Sequence, residues 1–346
     1  SSTKWWPGGL GLSANFAAVY ARAISNGVDH GVFPFLVQLR SLETHLPLPG
    51  ITLGSSGPTM GYYANEHGRC CFDHVRIPKD NLMQKWVKIS DDGKFVQVHK
   101  ETRASYFAMV LTRASFVGSA AAQLGKAVTI AIRYSAIRQE GSPGPGLPEM
   151  HVLDYQMQQL QLFSALAADY ALHFTARYVR KLSDGVRQGL EGSGSDTSGL
   201  KELHATVSGL KALSTWIMGD NIEICRRCCG GYGYSLYSGM PQIYVNCCRM
   251  MSSEGDNTVL CLQTARYLTN AWTEARKGKL HSGVLAYFNT GSRARCTVGS
   301  PRELLEPAIQ LEAFAHWAAR LASKAAKQIE NTAADQNAKN EYMVEL

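Results

Sequence analysis

Residues 101–138, "ETRASYFAMVLTRASFVGSAAAQLGKAVTIAIRYSAIR", form a long Ala-rich run without proline. Its apolar residues recur at helical spacing, which predicts one long helix, closed by the Gly/Pro cluster "GSPGPGLP" at 141–148. Three further segments read the same way: 151–182, 201–228 and a run that starts after Asn257. Helices of this length bury their apolar faces against one another, so a four-helix bundle is expected over 99–276. The stretch "DGVRQGLEGSGSDTSG" (184–199) reads as a mobile loop between the second and third helices.

Upstream the texture changes. Short β-like runs at 32–39, 50–53, 69–78 and 94–98 are separated by turn-rich stretches such as "LPLPG" and "GSSGPTMG". That pattern predicts antiparallel strands rather than βαβ units. Downstream, a soft segment (277–301) leads into another helix over 302–330. The expected fold class is therefore α+β and mainly helical. A partial antiparallel β-barrel or sandwich domain (1–98) is followed by the bundle (99–276) and part of a second helical domain (277–346). No internal repeat is visible.

Composition narrows the function classes. Of the 346 residues 45% are hydrophobic and 18% charged, as in an ordinary globular protein with a sizeable core. The net charge of +7 suits an anionic ligand such as a nucleotide or coenzyme. The basic residues are scattered and form no tract interleaved with aromatics, which argues against nucleic acid. No apolar run is expected to reach membrane-spanning length, and the N-terminus does not read as a signal peptide. Nine cysteines, several in adjacent pairs, point to a reducing compartment. The chain starts at Ser1 and reads as a fragment of something longer.

Several motifs carry two readings. "PGGLGLSA" (7–14) has Gly9, Gly11 and Ala14 at dinucleotide-fingerprint spacing, but the βαβ context such a fingerprint requires is lacking. A tight turn, or backbone amides close to a phosphate or flavin ring, is the remaining choice. Cys225 and Cys228 followed by Cys247 and Cys248 imitate a zinc layout, yet the first pair ends an amphipathic helix and the second is adjacent, so small packing residues are expected. "CCGGYGYSLYSGMPQIYVN" (228–246) reads as a helix closed by Gly230 and Gly231, then an aromatic-glycine hairpin. Those glycines are either a helix terminus or an exposed backbone surface for a nucleotide. Glu254, in "MSSEGDNTVLCLQTARYL" (251–268), stands just before a helix that Asp256 or Asn257 can cap. It is either a solvated acid near a positive helix end or a base held at a fixed exit angle.

Taken in order, "KWWPGGLG", "PLPGITLGSSGP", "FDHVRIPKDNL", "TIAIRYSAIR", "LDYQMQQLQLF", "CCGGYGYS", "SGMPQIYV" and "EGDNTVLCLQTARYL" resemble the peroxisomal acyl-CoA oxidases, a branch of the acyl-CoA dehydrogenase superfamily. The resemblance implies FAD as cofactor, a fatty acyl-CoA as substrate, its trans-2-enoyl-CoA as product, and O2 reduced to hydrogen peroxide. It also implies a homodimer in the peroxisome. By the same resemblance Glu254 is the catalytic base and Gly8 a backbone contact to the flavin. Arg138 reaches the FAD pyrophosphate across the dimer interface, Gly230 and Gly231 lie near the adenine end, and Asp256, Asn257 and Thr258 lie on a cofactor-facing turn. The chain departs from the family at Ser253, where an aromatic residue usually stands beside the base, and at Tyr232, Glu140, Ser55, Ser56 and Thr59. Two other activities share the scaffold: a dehydrogenase passing electrons to another flavoprotein, and a non-catalytic relative that binds a partner or acyl-CoA.

Overall fold

The computed structural model describes residues 3–84, 87–98, 107–191, 199–290 and 298–331. The helical part begins with α1 (Phe107–Ile137), α2 (Gln156–Glu191) and α3 (Leu200–Cys228). Two short helices follow, α4 (Gly230–Tyr234) and α5 (Met240–Cys248), and then α6 (Asn257–Arg276). Gln158 bonds to Ser135 at one end of the α1–α2 pair, and Gly125 faces Asp169 further along, so the two run antiparallel. Thr264 bonds the Ala205 carbonyl and Asn257 that of Ala212, which sets α6 antiparallel to α3. Ala120, Ala121, Ala127 and Ala131 keep α1 thin, so that Leu124, Leu162, Met218 and Ile222 interlock into the principal core.

By length and composition α1 does satisfy the requirement for a membrane span, contrary to the sequence expectation. Here its apolar side is the centre of the bundle. The expected loop also needs correction, because α2 continues through 184–191. Val186 and Leu190 keep the period begun by Val179 and pack with Leu203 and Val207. That burial outweighs Gly185 and Gly189, each costing about 1 kcal/mol in a helix interior. The rest of the expected loop, 192–198, lies outside the described residues.

The hairpin expected after Gly231 is absent. Residues 230–248 instead form α4, a 3-10 turn (Leu236–Ser238) and α5. Gly239, left-handed at φ 73°, separates the last two, and Pro241 sits in the first turn of α5, where a missing N–H costs nothing. Further on come α7 (Tyr287–Thr290) and α8 (Pro307–Asn331), with Ala319 and Ala322 of α8 against Ala271. α8 starts at Pro307 rather than 302, since Glu306 is held extended ahead of the proline.

The strands are β1 (Lys4–Gly8), β2 (Phe16–Ser25), β3 (Val28–Gln38), β4 (Ile51–Ser55), β5 (His67–Phe72), β6 (Val87–Ile89) and β7 (Phe95–Gln97). They pair as β1-β5-β4, β2-β3 and β6-β7, all antiparallel, and close no barrel among the described residues. Asn26 and Gly27, both at positive φ, make the tight β2–β3 turn. The strand expected over 69–78 stops at Phe72, and β1 and β2 lie where no strand was expected. Leu10, Val37, Leu39, Ile51 and Cys70 form the core of this region. It docks on the helices through Gly61, whose backbone approaches that of Val245, and through the Tyr62 N–H, which donates to Asn246 Oδ1 at 2.6 Å.

Candidate active site

Between a 3-10 turn (Arg249–Met251) and α6 the chain makes a sharp corner, and Glu254 is its apex. Its backbone is left-handed (φ 58°), a conformation that costs a non-glycine residue about 1–2 kcal/mol, so the surroundings must enforce it. Gly255 follows at φ 116°, and Asp256 caps α6 by accepting from the N–H groups of Thr258 (3.0 Å) and Val259 (3.4 Å). Two cations hold the corner from inside. Arg113 of α1 donates through Nε to the Glu254 carbonyl at 2.8 Å, and its Nη1 lies 3.3 Å from His204 Nε2. Lys211 of α3 donates to the carbonyls of Met251 (3.2 Å) and Gly255 (2.8 Å) and to Asn257 Oδ1 (2.9 Å).

Both cations are buried, Lys211 to 0% exposure. Burial pushes the Lys211 ammonium down to about 8; the charges of Asp256 and Glu254 oppose that shift and Arg113 adds to it. Burial likewise lowers Arg113, against the charge of Glu254. The Glu254 side chain, by contrast, is exposed. The corner thus presents one carboxylate outward from a backbone fixed from within.

The other expected residues fall into two groups. Asp256 uses its carboxylate as a helix cap, and Thr258 is exposed at the first turn of α6, beside a groove bounded by Leu213, Trp216 and Cys261. Asn257 points inward: its oxygen accepts from Lys211, and its amide donates to the Ala212 carbonyl and Thr215 Oγ1. Gly8 ends β1 opposite His67. A row of rings ties that strand to the Glu254 corner. Trp6, itself left-handed (φ 82°), meets His67 at 6.0 Å, His67 meets Tyr62 at 6.1 Å, and the Arg249 guanidinium lies 3.8 Å over Tyr62. The amides of Leu12 and Ser13 in the Gly-rich loop are taken by Glu66.

Arg138, Gly230 and Gly231 form the second group. Arg138 follows the last residue of α1 and is exposed, with the Glu140 carboxylate 3.6 Å away. Gly230 and Gly231 have open space where a Cβ would stand, and Tyr134 meets Tyr232 at 5.8 Å, which brings the two glycines next to the end of α1. Arg113 and Arg138 are 25 positions apart along the helix. That separation is about 37 Å at helical rise. Among the departures from the resemblance, the Ser253 hydroxyl is buried without a hydrogen-bonding partner among the described residues, as is that of Ser56. Cys225, Cys228, Cys229 and Cys247 lie in the principal core, and burial pushes the thiols of Cys225 and Cys247 up to about 12.

Sequence reasoning missed Arg113, Lys211 and the row of rings. A signal for Lys211 was present, because Val207, Lys211, Ser214, Met218 and Ile222 share one helical stripe and all are buried.

Residues 106–269 match the family described as "Acyl-CoA oxidase, C-alpha1 domain". The peroxisomal acyl-coenzyme A oxidase 1 of Homo sapiens is 41% identical over 342 residues, covering 95% of this chain and 50% of the human protein. The solved Arabidopsis thaliana acyl-CoA oxidase 1 superposes with a TM-score of 0.92 at 39% identity, over 99% of this chain and 53% of that one. Acyl-CoA oxidase-2 of Caenorhabditis elegans, whose structure is described as bound with FAD, ascaroside-CoA and ATP, superposes with a TM-score of 0.91 at 34% identity. It is covered over 51% of its length, against 99% of this chain. The chain thus spans about half the length of the curated relatives it matches. In sequence across its length, and in fold from strand region to bundle, the chain matches a fragment of the acyl-CoA oxidase family.

Proposed function

We propose that the protein containing this chain is an FAD-dependent acyl-CoA oxidase of the peroxisome, which converts a fatty acyl-CoA to the trans-2-enoyl-CoA and reduces O2 to H2O2. The observation that carries this reading is the Glu254 corner: one exposed carboxylate on a strained backbone that two buried cations anchor through carbonyls. A thioester α-hydrogen is weakly acidic, so its removal needs a base fixed within reach and donors for the developing enolate oxygen. Glu254 supplies the base, and its carboxylate oxygen carries the α-proton away. Because the corner is already held, little ordering is left to occur when substrate arrives.

The second group fits the phosphate and adenine parts of FAD. The backbone at Gly230 and Gly231 is unobstructed, and the exposed Arg138 guanidinium has a carboxylate only at 3.6 Å, which leaves donors for a pyrophosphate. FAD held there would supply the hydride acceptor for the β-hydrogen and the route by which electrons reach O2. The distance of about 37 Å along α1 exceeds what one flavin dinucleotide bridges. Arg138, Gly230 and Gly231 of a second copy would then complete the cofactor site beside the Glu254 corner of the first, in keeping with the homodimer that the resemblance implies.

Changing Glu254→Gln in the flavin-loaded protein tests the reading. The visible flavin spectrum should persist while enoyl-CoA and peroxide formation stop; peroxide at the wild-type rate would remove Glu254 from the mechanism. Air reoxidation of the reduced flavin separates an oxidase, which is fast, from a dehydrogenase, which is slow.

A further inference from the structure

We propose that Lys211 is the positioning residue of the Glu254 corner, its ammonium clamping the carbonyls on either side of the base from inside the bundle. The proposal rests on the reading of Glu254 as base. An ammonium has three donors. Two go to Met251 and Gly255, which flank Glu254, and the third goes to Asn257 Oδ1. Asn257 is itself locked by Ala212 and Thr215. No acceptor in this set is a carboxylate, so the lysine is not there to complete an ion pair. An apolar side chain would fill the same stripe of α3 but leave both corner carbonyls without their donor. Arg113, reaching the Glu254 carbonyl from α1, makes the clamp two-sided.

The charged groups around Lys211 are Asp256 and Glu254 on the corner and Arg113 on α1, which carries His204 of α3 beside it; Phe116 of α1 presents its ring at 5.7 Å. With the ammonium down at about 8, a modest rise in pH removes its charge and one of its three donors. The same shift has the opposite sign for global stability. The folded chain binds this proton less tightly than the unfolded chain, whose lysine titrates near 10.5. The cost of burying the charge is therefore present below about pH 8 and relieved as pH rises toward 10.5. A merely structural lysine would move activity and stability together. A positioning lysine lets activity fall in the window where its own contribution to stability rises.

The test compares Lys211→Met with the wild type as full-length, flavin-loaded protein, measuring kcat and KM against pH and hydrogen exchange at Ser252 and Ser253, whose amides donate to the Arg249 carbonyl. We expect kcat to fall by about tenfold or more with KM little changed, and the loss of activity above about pH 8 to disappear. Exchange at Ser252 and Ser253 should accelerate by about tenfold relative to amides within α1. Wild-type kcat, or an intact alkaline limb in the variant, overturns the proposal. If Lys211→Met does not fold, the wild type decides: protection at Ser252 and Ser253, relative to α1, should drop as Lys211 deprotonates, and constant protection refutes the clamp. An active Glu254→Gln protein would sink the base assignment alone, because the exchange measurement still judges Lys211.

Discussion

Two arginines at opposite ends of one helix have opposite surroundings. Arg113, near the start of α1, is 8% exposed and bonds to a backbone carbonyl and a histidine; Arg138, just past its end, is exposed and lies 3.6 Å from the Glu140 carboxylate. The first belongs to a region completed within the chain, where every donor of Lys211 is matched and Asn257 is bonded through both its oxygen and its amide. At the second, Gly230 and Gly231 face open space. Burial decides the difference: a desolvated cation must spend its donors on the protein, whereas an exposed one keeps them for a ligand. The molecule thus separates a corner anchored from within from an open, solvent-facing end.

The largest effect that can break this contrast is at the corner. Glu254→Gln should lower turnover by a factor on the order of 10²–10⁴ without removing the flavin, read as peroxide production against visible absorbance. Loss of both together would mean that the corner binds as well as reacts. At the open end, Arg138→Met should weaken FAD binding by about 10–100-fold, the worth of one or two charged hydrogen bonds, while kcat at saturating FAD changes little. Titrating apoprotein with FAD measures it. An unchanged dissociation constant would leave the open end without a role.

A smaller effect probes the join between corner and bundle. Asp256→Ala removes the α6 cap and should lower stability by about 1 kcal/mol, seen in thermal unfolding. Since the Asp256 charge opposes the downward shift of Lys211, its loss should also move the alkaline limb of activity to lower pH. A limb that stays in place would uncouple Lys211 from activity.

Much of the framework was legible because it follows from period. The apolar stripes of α1, α3 and α6 announce themselves at helical spacing, and α6 begins at Asn257, one residue ahead of the expected start. The failures have physical causes. Gly185 and Gly189 suggested a loop, but the helix continues because Val186 and Leu190 have a core to enter, and no local rule contains that core. The aromatic-glycine run over 228–246 suggested a hairpin, although its Gly239 and Pro241 suit the left-handed junction and first turn of a helix. Glu254 was legible by resemblance; its left-handed backbone and its two cations were not, since Arg113 and Lys211 lie 141 and 43 positions earlier in sequence. Each nonetheless left a trace, as a charge on a largely apolar buried stripe of its helix.

The smallest effect separates two meanings of the Arg138–Glu140 pair. At 3.6 Å and largely in solvent, such a pair contributes about 0.2–1 kcal/mol, and it competes with any phosphate for the guanidinium. Glu140→Gln frees Arg138 and removes a like charge from the phosphate's surroundings, so FAD affinity should rise by about 1.4–5-fold. Because both groups are exposed, the gain should shrink as salt is raised past the point where the screening length falls below their separation from the ligand. If affinity instead falls, Glu140 orients the arginine rather than competing for it. The open end would then be preorganised like the corner, by an exposed carboxylate in place of buried carbonyls, and the contrast between the two ends of α1 would be one of solvent exposure alone.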